Sequence, residues 1–320
     1  MSYSLENKLV IGVSSRTLFE MTYENDIFEN QGIDAYCAYQ IEHEQETLKP
    51  GPGFELVKAL LSLNEDTETS DRVEVIVMSH NSPDIAVRIF HSIAYYGLGI
   101  TRAVMASGSS LVPYLEAFDV DLFLSACEED VQNAVNSGFA AAIICTQPHS
   151  EKVIYPFRDA SQIRIAFDGD AVLFSDQAEQ IYKAAGLAAF DENERKCAKQ
   201  PLEAGPFARF LLKLGELKKE NPILDKRIRT ALVTARHAPA HERAIRTLRF
   251  WGMQVDEAFF LGGIEKKAVL KAFGAQIFFD DQRVHTDAAA QVVPAARVPY
   301  ITEKRKRDYS SDEIQTYRTG

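Results

Sequence analysis

The sequence predicts an α/β fold of two tandem units, each a doubly wound parallel sheet, and three observations predict it. Short apolar strands alternate with amphipathic helical segments along the 320-residue chain. The pattern occurs twice in register, so that Arg88, Gly97, Ala103, Gly108, Leu115, Ala117, Phe118 and Phe123 each find an identical residue 155 positions on, from Arg243 and Gly252 to Phe278. Polar residues capable of chemistry stand where strands meet the next element, the edge at which such sheets carry their sites.

Each element of the second copy has a local reason. Ile165-Ala166-Phe167 is an apolar strand running into Asp168-Gly169-Asp170. A polar insertion over about 177–222 follows, with an amphipathic helix around Phe207 to Leu217 and an acidic run, Asp191-Glu192-Asn193-Glu194. Ala231 to Thr234 reads as the next strand. From His241 to Trp251 the apolar residues Ala244, Ile245, Leu248 and Trp251 share one helical face, and Gly252 supplies the expected C-cap. A short strand near Ala258 to Leu261, a helix near Lys267 to Phe273 and a strand from Gln276 to Phe279 complete the copy. In the first copy, Val75-Ile76-Val77-Met78-Ser79 matches Ala231 to Thr234, and Leu18-Phe19 falls on Leu173-Phe174. Residues 1–150 are therefore expected as one unit and 160–310 as the other, joined near Pro148 to Gln162, with 311–320 a polar tail.

Composition narrows the function classes. A hydrophobic share of 46% supports two cores, and a formal net charge of -11 disfavours nucleic acid and anionic membranes as partners. The run Lys304-Arg305-Lys306-Arg307 reads as a solvated end. No long apolar run or signal-type N-terminus is present, so a cytoplasmic location is expected. Cys37, Cys127, Cys145 and Cys197 lie far apart and form no metal-ligand or disulfide pattern.

The two copies differ where chemistry would occur. Strand ends of the second carry Asp168 and Asp170, Thr234, Lys266 and the pair Asp280-Asp281; at the same offset the first has Val13 and Ser15, Ser79, Leu111, and Ser125-Ala126. A purely structural need for carboxylates would appear in both copies. Hard oxygen ligands, a nucleophile, a hydroxyl and an ammonium together compose a magnesium phosphotransfer site.

Asp168-Gly169-Asp170-Ala171-Val172, Thr234, Lys266 and Asp280-Asp281 resemble, in order and setting, the four motifs of the haloacid dehalogenase-like (HAD) superfamily. Phe167 to Asp176, Leu232 to Arg236 and Ile277 to Gln282, together with Asn81-Ser82-Pro83-Asp84 and Asn25 to Glu29, look more closely like the cytosolic 5'-nucleotidase type I family. The resemblance implies two HAD-like Rossmannoid units arisen by internal duplication, each with a cap-type insertion. It implies Asp168 as nucleophile, Asp170 as acid and base, Thr234 and Lys266 as phosphate-binding groups, and Mg²⁺ held by Asp168, Asp170 and the Asp280-Asp281 pair. The expected activity is release of phosphate from nucleoside 5'-monophosphates.

Substrate contacts are expected from Arg236, Asn81 and Asp84, while Tyr23, Tyr36 and Tyr39 read more readily as packing residues than as base-stacking partners. The pocket of the first copy is a candidate for a nucleotide effector, though packing against the catalytic copy is the favoured role. A phosphatase for another small metabolite, a nucleoside phosphotransferase and a nucleotide sensor without turnover are the competing readings. Assembly into a homo-oligomer is left open by the sequence.

Overall fold

The computed structural model describes residues 3–65, 71–145 and 162–302, with the Asp84 side chain excluded. The expected junction near 148–162, the basic run 304–307 and the tail 311–320 lie outside the described residues. The chain divides into two compact units, Met1–Ala134 and Val135–Gly320.

In the first unit four parallel strands follow the order Leu122–Ser125, Leu9–Val13, Val73–Ser79, Arg102–Met105. Leu9–Val13 and Val73–Ser79 are buried along their whole length, which is why they read as unbroken apolar runs rather than alternating ones. The helices Thr22–Gln31 and Ile33–Glu42 meet at Gly32, whose φ of 86° only glycine adopts without strain.

The second unit orders its parallel strands Glu257–Phe260, Ile228–Thr234, Ile163–Phe167, Ile277–Asp280, Ala295–Arg297, with Ala141–Ile144 antiparallel to the last. Residues 141–144 fall in the second of the two units. Successive strands step one way from Ile163–Phe167 and then return to its other side at Ile277–Asp280. This reversal is the switch point at which sheets of this kind form their crevice, beyond the strands' carboxyl ends. Behind it lies an aromatic core: Phe167 stacks on Phe279 at 5.7 Å, and Phe207 sits 4.7 Å from Phe279. Within the segment expected as an insertion, helix Ala208–Glu220 buries Phe210, Leu211, Leu214 and Leu217, with Phe210 against Phe167. Helix Gln177–Lys196 is broken at Gly186, where φ is 77°.

Matching hydrogen bonds occur within each unit. The Ser14 N–H donates to the Leu124 carbonyl as the Asp168 N–H does to Phe279, and the Leu48 and Leu202 N–H groups donate to the Ser92 and Thr247 hydroxyls. These bonds correct one expectation. Ser14, not Val13, stands in the place of Asp168, because the first strand is offset by one residue less than the strands that follow. The subsequent turn is also one residue shorter in the first unit, since the carbonyls of Thr17 and Val172 accept the matching bonds from Gly53 and Phe207. Ser15 is therefore not in strict register with Asp170.

Candidate active site

Asp168 follows the strand Ile163–Phe167 directly, Thr234 ends Ile228–Thr234, Asp280 ends Ile277–Asp280, and Lys266 is the first residue of helix Lys266–Phe273. All four are buried, as is Asp281. The fold thus brings Asp168, Thr234, Lys266, Asp280 and Asp281 to the carboxyl edge of the sheet. The residue between the two aspartates is glycine for a packing reason: a Cβ there would lie 3.1 Å from Thr234 Oγ1. Ala171, at a left-handed φ of 60°, turns the chain so that the Phe174 N–H reaches the Gly169 carbonyl at 2.9 Å.

Lys266 Nζ stands 2.9 Å from Asp168 Oδ1 and 2.6 Å from Asp280 Oδ2. Oxygens of Asp168, Asp280 and Asp281 all lie within 4.8 Å of one another. Three carboxylates around one ammonium leave the cluster short of positive charge, and the titration follows. Burial pushes Asp168 up to about 7 despite Lys266, with Asp280 and Asp170 adding to the rise. Burial and the negative charges of Asp168 and Asp280 push Asp281 up to about 8. For Asp280, burial is outweighed by Lys266 and His285, which hold its carboxyl below the usual range. Burial disfavours the Lys266 ammonium, but Asp168 and Asp280 more than offset this and raise it.

The two members of the acidic pair are employed differently. Asp280 commits Oδ2 to Lys266, while Oδ1 accepts the Gln282 N–H at 2.9 Å and faces His285 Nδ1 at 3.2 Å. Asp281 accepts the Tyr300 hydroxyl on Oδ2 but has no partner on its buried Oδ1. An orphaned buried carboxylate oxygen in an electron-rich cluster fits a hard divalent cation. The Tyr300 oxygen also lies 3.1 Å from both carboxylate oxygens of Glu179.

Asp170 accepts two bonds from Arg236, from Nε at 2.8 Å and Nη2 at 2.7 Å. Arg236 Nη1 donates to Glu194 and to the Ala240 carbonyl. Arg236 is therefore a buried partner of Asp170 in this structure, with most of its donors committed. Asn81 lies in the other unit, accepting from Tyr36 and donating to Ser15. Asp84 falls on the 3-10 turn Pro83–Ile85, its side chain outside the described residues. Tyr23 and Tyr39 pack edge to face, and Tyr39 stacks on His43. Glu194 and Tyr300 are site neighbours that sequence reasoning missed. The acidic run gave a faint signal of the first, and nothing local marked the second.

A family model described as 5'-nucleotidase matches residues 1–305. The chain belongs to the 5'-nucleotidase family. It is 37% identical over 297 residues to human "Cytosolic 5'-nucleotidase 1B", an alignment that takes in 90% of this chain and 48% of that protein. The chain thus spans about half the length of this curated relative. A chain of the solved "Structure of Pnkp1/Rnl/Hen1 complex" aligns over 92% of this chain and 96% of its own, at 14% identity and a TM-score of 0.32, a likeness that carries no argument. Among the described residues of this 5'-nucleotidase family member, no helix is long and apolar enough to cross a membrane.

Proposed function

We propose that the second unit hydrolyses nucleoside 5'-monophosphates to nucleoside and phosphate, with Asp168 as nucleophile. The observation that carries the reading is the convergence of Asp168, Lys266, Asp280 and Asp281 at the crevice of a 5'-nucleotidase family chain. An Asp168 oxygen attacks phosphorus and the bond to the 5'-oxygen breaks, leaving an aspartyl-phosphate. Asp170 delivers a proton to the departing oxygen, then takes one from the water that releases phosphate and regenerates Asp168. Lys266 and the Thr234 hydroxyl bind phosphoryl oxygens, offsetting repulsion between a carboxylate and a dianionic ester. Mg²⁺ would be held by Asp168, Asp281 and the Asp170 backbone carbonyl, and when bound it supplies Lewis-acid charge for the phosphoryl group. Asp281 is favoured over Asp280 as the direct ligand, because both Asp280 oxygens already serve protein groups.

The recurrent hydrogen bonds support duplication as the origin of the two units, the first having lost or never acquired the carboxylates. The helix pairs broken at Gly32 and Gly186 then correspond as insertions of the cap type. The test is phosphate release from a panel of nucleoside monophosphates and sugar phosphates, with Mg²⁺ or with EDTA. Magnesium-dependent release selective for 5'-monophosphates is expected, falling at least about 10³-fold in Asp168→Asn with the fold retained. Substantial turnover by that variant would remove Asp168 as nucleophile.

A further inference from the structure

Asp170 does not stand alone at the crevice. It is the partly exposed end of a largely buried chain of alternating charge that runs Asp170, Arg236, Glu194, Arg243. Arg236 grips Asp170 with two N–H groups, at 2.8 and 2.7 Å, and turns its remaining nitrogen to Glu194. Glu194, fully buried near the end of helix Gln177–Lys196, gives its other oxygen to Arg243 at 2.8 Å. A bidentate guanidinium sets the plane of the carboxylate it holds. Whatever fixes Arg236 therefore fixes Asp170.

The first unit contains a control for the role of Glu194. Arg88 donates from Nε to the Glu46 carbonyl at 3.1 Å and from Nη1 to Gln40 at 3.1 Å. Arg243 makes the same two bonds, from Nε to the Gln200 carbonyl at 2.9 Å and from Nη1 to Glu194. Gln40 thus occupies the place of Glu194, and a neutral amide suffices there to tie the helix to its arginine. The charge of Arg88 is met by Glu24 instead. Where Gln40 replaces Glu194, Asn81 also replaces Arg236, with its N–H on the Ser79 hydroxyl as the Arg236 N–H is on Thr234. The acid at 194 accompanies Arg236 and Asp170, and its second oxygen is the feature that the first unit lacks.

We infer that Glu194 is a positioning residue for the reaction, holding Arg236, and through it the Asp170 carboxylate, in one orientation. This rests on the reading of Asp170 as acid and base given above. It assigns a functional role to a residue of the helical insertion that never reaches the substrate. It also explains why an arginine beside a phosphate-handling site is turned away from it: its donors are used in orienting Asp170.

The test is a double-mutant cycle on the full chain, measuring kcat and KM for a nucleoside 5'-monophosphate with Mg²⁺ together with thermal unfolding. Glu194→Gln, the solution already present in the first unit, is expected to retain the fold. It should lower kcat about tenfold with KM changed less than about twofold, since misplacing a reacting group costs rate more than binding. Asp170→Asn should lower kcat on the order of 10²-fold or more. Adding Glu194→Gln to Asp170→Asn should then cost less than about twofold, because the second change acts only through the first. Should Glu194→Gln fail to fold, Arg236→Lys runs the same cycle; it keeps the charge but loses the fork that spans both carboxylates. Wild-type kcat in Glu194→Gln beside a crippled Asp170→Asn, or losses that multiply in the double variant, would overturn the positioning role alone. Full activity in Asp170→Asn would overturn the acid and base assignment and the positioning role with it.

Discussion

Lys266 carries more responsibility than one ammonium can discharge. It contacts Asp168 and Asp280, leaving Asp281 to rely on the Tyr300 hydroxyl. Without a further cation the folded cluster holds protons that the unfolded chain releases. Asp168 and Asp281 move from an ordinary 3.8 to about 7 and about 8. A carboxyl whose folded-state value is raised binds more protons folded than unfolded within that window, so stability falls as pH rises through it. Asp280, shifted downward, contributes in the opposite sense only below 3.8. In EDTA the melting temperature is therefore expected to fall between pH 5 and pH 8, and to fall less in Asp281→Asn. Equal slopes in the two proteins would contradict the charge deficit. Saturating Mg²⁺ at pH 8 should raise the wild-type melting temperature by several degrees through preferential binding to the folded state, and raise that of Asp281→Asn much less. An equal rise in both would exclude Asp281 as the ligand.

At the scale of elements, the turn after Asp168 is held from behind by a chain segment that must come unusually close. The Gly205 N–H donates to the Leu173 carbonyl, and a Cβ on Gly205 would lie 2.4 Å from the carbonyl oxygens of both Val172 and Phe174. Gly51 meets the backbone of Phe19 in the same manner in the first unit. Gly215, inside helix Ala208–Glu220, has open space where its Cβ would be. Gly205→Ala should therefore cost about 2–3 kcal/mol, and Gly215→Ala should stabilise by about 0.5–1 kcal/mol. Urea unfolding of the two variants checks the contrast, and a tolerated Gly205→Ala would show that the turn can withdraw from its support. Elements with a strong period were legible in advance: His241–Phe250 falls where its apolar face and Gly252 put it, and Lys266–Phe273 begins one residue before its expected start. The one-residue slip at the first strand was not legible. Leu9–Val13 is buried throughout and Ile163–Phe167 is buried except at Arg164, so neither has the clear alternation that would fix its register. Glu194 was hidden for a related reason. Within Asp191-Glu192-Asn193-Glu194 it looks like one more solvated acid, and only Arg236 and Arg243, both more than forty positions away, account for its burial.

At the scale of the whole molecule, the proposed duplication gives one scaffold in two chemical versions, and their difference bears on what the proposed site requires beyond Asp168. Where the second unit has Asp168, the first has Ser14, whose hydroxyl donates to Thr17 Oγ1 at 3.0 Å and accepts the Thr17 N–H. At the positions matching Lys266, Asp280 and Asp281 stand Leu111, Ser125 and Ala126, so the first unit has neutral side chains there, the Ser125 hydroxyl accepting the Cys127 N–H. A carboxylate restored there would have no ammonium beside it. Ser14→Asp introduced into Asp168→Asn should therefore recover no phosphate release. It should also destabilise the chain by about 3 kcal/mol or raise the new carboxyl's proton affinity, since an unpaired buried charge is strongly penalised. Phosphate release and urea unfolding of the single and double variants measure both effects. Recovery of turnover would mean that the nucleophile alone makes this scaffold catalytic, and that Lys266 and the acidic pair are dispensable; the tight grouping of those four side chains in the second unit argues for the opposite result.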